Sequence, residues 1–210
     1  MPTARPRLCD VLSGLPYAAD RTFTGSLAEG ELLAGVESGG VEFDGCRFEG
    51  CVLAGGVLSG CTFTECAFVE CDLSRAVVTD ARFSECAFVD CRLLGVNFAL
   101  AQTGSLAPPF AFERCRLDYA SFRALDITGS AFRDCRLHDA DFGEAVARRV
   151  AFTGCDLVGA SFGGTDLREA DLVGAVNYAF DVRDNQVRGA RVDAAGATNL
   201  LRPLGIDVVG

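Results

Sequence analysis

The residues best suited to chemistry in this 210-residue chain are its eleven cysteines and its single histidine. Ten of the cysteines, at positions 46, 51, 61, 66, 71, 86, 91, 115, 135 and 155, recur at intervals that are multiples of five before residue 100 and in steps of twenty after it, and Cys9 stands apart. Such a ladder could ligate metal, carry redox chemistry or pack as small hydrophobes. Zinc needs four converging ligands, usually from C-x2-C or similar pairs with histidine. Steps of C-x4-C point successive thiols inward from different sides, so the ligand geometry is poor and core packing is the expectation. Disulfides are not expected in a reducing compartment. His138, in CRLHD, sits at an outward position with no nucleophile beside it in the sequence to activate. No G-x-x-x-x-G-K-S/T, H-E-x-x-H or G-x-S-x-G motif is present. No catalytic residue, metal site or cofactor is therefore assigned, and the chain is not read as an enzyme.

A period of five positions these thiols. From Val41 the chain reads VEFDG, CRFEG, CVLAG, GVLSG, CTFTE and onward to VNFAL, and all twelve central residues from Phe43 to Phe98 are Phe, Leu or Val. Five is neither the helical period of 3.6 nor the strand period of 2. The residue two before each centre is small or apolar, which puts both side chains on one side of a short extended segment. The other three positions hold mostly Gly, Asp, Glu, Arg, Ser and Thr and face outward. To return each inward pair to the same axis the chain must bend after every five residues, and bending in one sense makes a coil whose turns stack through backbone hydrogen bonds. The fold class expected is an all-β solenoid.

A second array runs from Phe112 to Val192, with Ala147 and Asn177 its only small or polar centres, and a weaker lead-in covers Arg21 to Gly35. All six prolines lie outside the two arrays, as expected if repeat backbones donate inter-coil hydrogen bonds. The organisation read from this is an N-terminal segment at 1–20, a solenoid at 21–192 with a break loop at 101–110, and a tail at 193–210.

These repeats resemble the pentapeptide-repeat family, whose pattern is written A(D/N)LxX; ADLVG at 170–174 and TDLRE at 165–169 match it closely. The resemblance covers roughly residues 21–192 and implies a right-handed quadrilateral β-helix with four pentapeptides per square coil. LLGVNFALAQ, FERCRLD and AVNYAFDVRDNQVRGARV resemble the albicidin-resistance members, and the tail from Ala197 resembles the end of the quinolone-resistance (Qnr-type) members. This implies a homodimer that binds DNA gyrase, a type II topoisomerase, and protects it from poisons through a DNA-like acidic surface. The AVNY and tail segments also resemble pentapeptide proteins of no assigned role, so an interaction scaffold with a non-topoisomerase partner is the alternative.

The formal charge of −10 and pI near 4.6 argue against direct nucleic-acid binding and favour a basic partner surface. No apolar run has the length of a signal-peptide core or a membrane helix, so a cytoplasmic location without membrane contact is expected. With four repeats per turn, residues twenty apart stack. That places Glu65 under Glu85, Glu70 under Asp90 and Asp80 on the neighbouring face, as either an acidic gyrase-binding face or simply a solvated one. Acidic residues outnumber basic ones nine to four between 41 and 100 but only thirteen to eleven between 111 and 192, which concentrates the acidic character in the first array. Gln102, Leu106, Pro108 and Pro109 in the break could form a semi-rigid gyrase contact, or the break is a neutral insertion. In the tail, Ala197, Leu200, Leu201 and Leu204 follow helical spacing and Ile206 adds apolar surface, for capping, for a two-fold dimer interface, or for both.

Overall fold

The computed structural model describes residues 17–19, 22–23, 40–104 and 107–206, with side chains from residue 40 onward. The five-residue period closes into coils of twenty. The N–H of Thr62 donates to the Val41 carbonyl of the coil before, and that of Glu65 to the Ser84 carbonyl of the coil after, at 3.0 and 2.9 Å. Each coil has four faces. The first carries a five-stranded parallel sheet of β1 (Tyr17–Ala19), β3 (Glu42–Asp44), β5 (Thr62–Thr64), β7 (Arg82–Ser84) and β9 (Gln102–Thr103). The second carries a seven-stranded parallel sheet of β2 (Thr22–Phe23), β4 (Arg47–Glu49), β6 (Ala67–Val69), β8 (Cys86–Val89), β10 (Phe110–Glu113), β11 (Ala131–Arg133) and β12 (Ala151–Thr153). The third and fourth faces are turned, joined from coil to coil by single bridges such as Val52 to Asp72 and Asn97 to Ser121.

Local sequence decides which faces turn. Where Asp precedes the central residue, its carboxylate accepts the N–H two residues on: Asp72 from Ser74 at 2.9 Å, Asp126 from Thr128 at 2.9 Å and Asp141 from Gly143 at 2.8 Å. Such side-chain turns compete with a strand. Where Phe is central and Ala, Thr or Arg precedes it, three residues stay extended.

The core is a set of ladders. Phe48, Phe68, Phe88, Phe112, Phe132 and Phe152 stack with ring centroids 4.6–5.2 Å apart, and Phe98, Phe122, Phe142 and Phe162 form a second ladder at 5.0–5.2 Å. Phe43 pairs with Phe63 in the strand register, an offset of twenty, whereas Phe88 pairs with Phe112, an offset of 24. The break therefore inserts four residues. Ala101 is still buried and Gln102–Thr103 still pair with β7, so the coil is interrupted only between Thr103 and Phe110.

Three sequence expectations are corrected by packing. Asn177 is not a core centre. It is exposed, takes a left-handed φ of 61°, and donates to Asp156 at 2.8 Å, while Tyr178 and Phe180 turn inward in its place. A polar amide cannot fill an apolar core, and Asn tolerates that backbone better than most residues. Asp118 and Asp166, at nominally outward positions, are 2% and 5% exposed because arginine stems cover them.

After the last coil comes α1 (Ala194–Leu201), capped by Asp193, whose Oδ1 accepts the Gly196 N–H at 2.8 Å. Its Oδ2 accepts the Gly174 N–H at 3.1 Å, tying the helix start to the coil below. The architecture is the parallel β-helix with a short C-terminal helix that the repeat pattern and the resemblance imply. Among the described residues no helix is long and apolar enough to cross a membrane.

Candidate functional site

In most repeats the fifth residue turns the corner with φ between 50° and 80°, a region that favours glycine. Gly45, Gly50, Gly55 and Gly60 meet this need, but the next two coils place Glu65, Glu70, Asp80, Glu85 and Asp90 there at 52–57°. Left-handed backbone costs a non-glycine residue on the order of 1 kcal/mol. All five side chains are exposed. Glu65 and Glu85 stack on the edge between the first and second faces, Glu70 and Asp90 on the edge between the second and third, and Asp80 lies between the fourth and first. The strip of second face between the two stacks presents only Ala67, Val69, Ala87 and Val89, so the carboxylates stand above it as two parallel rails roughly one strand spacing per step.

One rail is partly neutralised. Arg114, the next corner along, grips Asp90 with Nε to Oδ1 at 2.8 Å and Nη2 to Oδ2 at 2.9 Å, and this hydrogen bonding holds the Asp90 carboxyl below its usual range. Counting by twenty from Asp90 reaches Phe110 and misses this partner, because the four-residue insertion intervenes. Glu65, Glu70 and Glu85 form no ion pair among the described residues.

The break-loop candidates separate. Gln102 lies in β9 and accepts from Arg82 at 2.7 Å. Pro109 is buried and its carbonyl takes the Cys86 N–H at 3.0 Å, while Pro108 is exposed against Gly129; Leu106 lies outside the described residues. In the tail, Leu200 packs on the solenoid core, Ala197, Leu201 and Leu204 are half-buried, and Ile206 is 46% exposed. Beneath them Val182, Val187 and Val192 of the last coil are only partly covered.

All ten cysteines of the ladder are buried and unbridged, and Cys9 lies outside the described residues. Cys71 and Cys86 donate to the Phe48 and Phe63 carbonyls at 3.4 Å, and burial pushes the Cys86 thiol up to about 12. Among the described residues no group of His, Cys, Asp and Glu could hold a metal ion. His138 sits with Nε2 2.7 Å from Asp156, which also accepts from Asn177; beside it Asp118 takes Arg136 at 2.8 Å. These join into a line of polar contacts along the third face.

A column that charge counting over whole arrays missed runs down the first face. Arg148, Arg168 and Arg188 occupy the same outward position in three successive coils, a spacing of twenty already visible in the sequence.

Fold and site together define a repeat solenoid with a packed apolar interior and charged columns facing outward. The model for the pentapeptide repeat region matches residues 41–122, and that for pentapeptide repeats in eight copies matches 148–175. The chain belongs to the pentapeptide-repeat family. Among solved structures it is similar to QnrB1, a plasmid-mediated fluoroquinolone resistance protein, at 21% identity over 92% of this chain and 100% of that one, with a TM-score of 0.38. It is similar to HetL, involved in heterocyst differentiation regulation in the cyanobacterium Nostoc, at 20% identity over 83% and 84% with a TM-score of 0.46. A thylakoid-lumen pentapeptide protein of Arabidopsis thaliana aligns at 23% identity over 60% and 61%, with a TM-score of 0.28. No curated protein matches the chain in a sequence comparison.

Proposed function

We propose that this protein is a non-catalytic binder of DNA gyrase that protects the enzyme from a gyrase-directed drug or toxin. The observation that carries the reading is the pair of carboxylate rails, Glu65 with Glu85 and Glu70 with Asp90, held above a nearly featureless strip of β-sheet. Acidic groups at fixed spacing on a stiff rod are suited to a basic groove that otherwise receives duplex phosphates. Two copies joined through Ala197, Leu200, Leu201, Leu204 and Ile206 would cover the partly open last coil and double the length of the rod.

The test is a supercoiling assay with the purified protein, with and without a gyrase poison. Inhibition or drug protection is expected, and the triple reversal of Glu65, Glu70 and Glu85 to Lys removes it without altering the circular-dichroism spectrum. An absence of both effects in the parent protein sinks the reading. Deleting 198–210 should yield monomers or aggregates in sedimentation, and a stable dimer after truncation refutes the tail interface.

A scaffold with a non-topoisomerase partner is the second reading, favoured by the neutralisation of Asp90 by Arg114 and by the arginine column farther along the rod. A pull-down that recovers another protein and no gyrase selects it.

A further inference from the structure

The arginine column on the first face is built around a buried carboxylate. Asp166, 5% exposed, accepts from Arg148 Nε at 2.6 Å and from Arg168 Nε and Nη2 at 2.8 and 2.6 Å. One buried carboxylate thus anchors two guanidiniums, and each keeps N–H donors free to point outward. Arg149, at the adjoining corner, and Arg188, one coil beyond, form no ion pair among the described residues. On this face, four guanidiniums from 148 to 188 stand against two carboxylates, Asp166 and Glu169, in a chain whose net charge is −10.

The guanidiniums line a recess. Arg148, Arg149, Arg168 and Glu169 bound a cleft of about 150 Å³, and Arg149 also lines a second cleft of about 180 Å³ that runs beneath Pro108 and Pro109. Glu169 forms the far wall, where its Cγ lies over Gly189, 3.3 Å from where a Cβ would stand. Asp126 borders the second cleft, so the first is the more cationic of the two.

We propose that this column is a docking site for an acidic segment of a partner protein, whose carboxylates take the outward guanidinium N–H groups. The fork of Arg matches a carboxylate pairwise, and Asp166 holds two forks in place before any ligand arrives. A long polyanion is disfavoured, because farther along the same edge it meets Glu65 and Glu85. The column spans two coil steps, on the order of 10 Å, which is three or four residues of extended chain. The surface is separate from the acidic rails, so the proposal does not rest on gyrase being the partner.

The probe is fluorescently labelled hexaglutamate, titrated into the full chain at low salt by anisotropy, against hexaglutamine and a 20-base-pair duplex. Non-specific attraction cannot explain binding, since peptide and protein carry the same net sign. Hexaglutamate should bind and be released as salt rises to 0.5 M. The variant Arg149→Ala with Arg188→Ala should bind roughly tenfold more weakly. Its fold should persist, because Ala124 already occupies an equivalent corner at φ 55°. No binding of hexaglutamate, equal binding by the variant, or tighter binding of the duplex overturns the proposal. So does loss of self-association in the variant by sedimentation, which would make the occupant a second copy.

Discussion

Replacing Gly196 by Ala sets two effects of opposite sign against each other. In an isolated helix the change should stabilise α1 by about 1 kcal/mol. In this protein an added Cβ would stand 1.8 Å from the Tyr178 Oη and 2.8 Å from its Cζ, and Tyr178 is 1% exposed, so the ring has no open side to move into. Overpacking costs about 1–3 kcal/mol, and an approach this close to a buried ring falls in the upper part of that range, at about 2–3 kcal/mol, so the net expectation is a loss of about 1–2 kcal/mol. For a chain of this size that lowers the melting temperature by roughly 2–8 °C. The control is Tyr178→Phe. Its hydroxyl is buried without a hydrogen-bond partner among the described residues, and burial pushes it up to about 12, so removing it should be neutral or stabilising by up to about 1 kcal/mol. In that background Gly196→Ala should recover most of what it lost. Thermal melts of the parent, both single variants and the double variant complete the cycle. A Gly196→Ala protein that melts at or above the parent temperature refutes the docking of α1 on Tyr178, and so does a Tyr178→Phe background that gives no rescue.

Three further outcomes follow from the same geometry. With all ten thiols of the ladder buried, and burial holding Cys61 at about 11 and Cys86 at about 12, a thiol reagent at pH 8 should titrate no more than Cys9 in the native protein and all eleven on unfolding; a second native equivalent contradicts the packing. Arg168 and then Arg148 hold the Asp166 carboxyl well below its ordinary value. Because the folded value is depressed, the stability it contributes is complete above about pH 4 and disappears as pH falls through the folded value. Asp166→Asn should therefore lose stability at pH 7 and flatten the acid limb of the melting profile, and an unchanged acid limb would dissociate Asp166 from it. Glu65→Gly with Glu85→Gly should melt at or above the parent temperature while supercoiling inhibition declines, and a fall in stability would show that these corners carry no strain.

The coil, its core and its corners were legible because each has a period. Phe88 and Cys86 reveal their burial by what stands twenty residues away, and no single residue decides the assignment. What stayed hidden were departures from the period. Asp118 and Asp166 occupy outward positions, but arginines from neighbouring repeats cover them, and that is a property of pairs of columns. Arg114 opposite Asp90 was obscured because four inserted residues shift the count from twenty to 24. Asn177 signalled in its residue type alone that the core position would be refused, yet only the structure shows Tyr178 and Phe180 supplying the replacement. The arginine column was available by counting in twenties, but summing charge over a whole array averages it against acids on other faces.

Two charged features on one edge have a consequence that neither has alone. Glu65 and Glu85 occupy the edge between the first and second faces near the N-terminal end of the rod, and Arg149 occupies the same edge four coils on from Glu65 and three from Glu85, roughly 20 and 15 Å away at strand spacing. At physiological ionic strength fields decay over about 8 Å, so the two regions act as separate surfaces and do not cancel. A rod acidic along its whole length would enter a basic groove equally well in either direction. Reversing this one would set arginines against the basic groove and glutamates against any acidic partner segment, and like-charge contact penalises the wrong arrangement more strongly than added attraction rewards the right one. If both proposed surfaces bind as argued, the edge gives docking a direction. Exchanging Glu65 with Arg149, which sets glutamates at 149 and 169 at the far end and an arginine beside Glu85 at the near end, should invert that direction while leaving the net charge and the core unchanged.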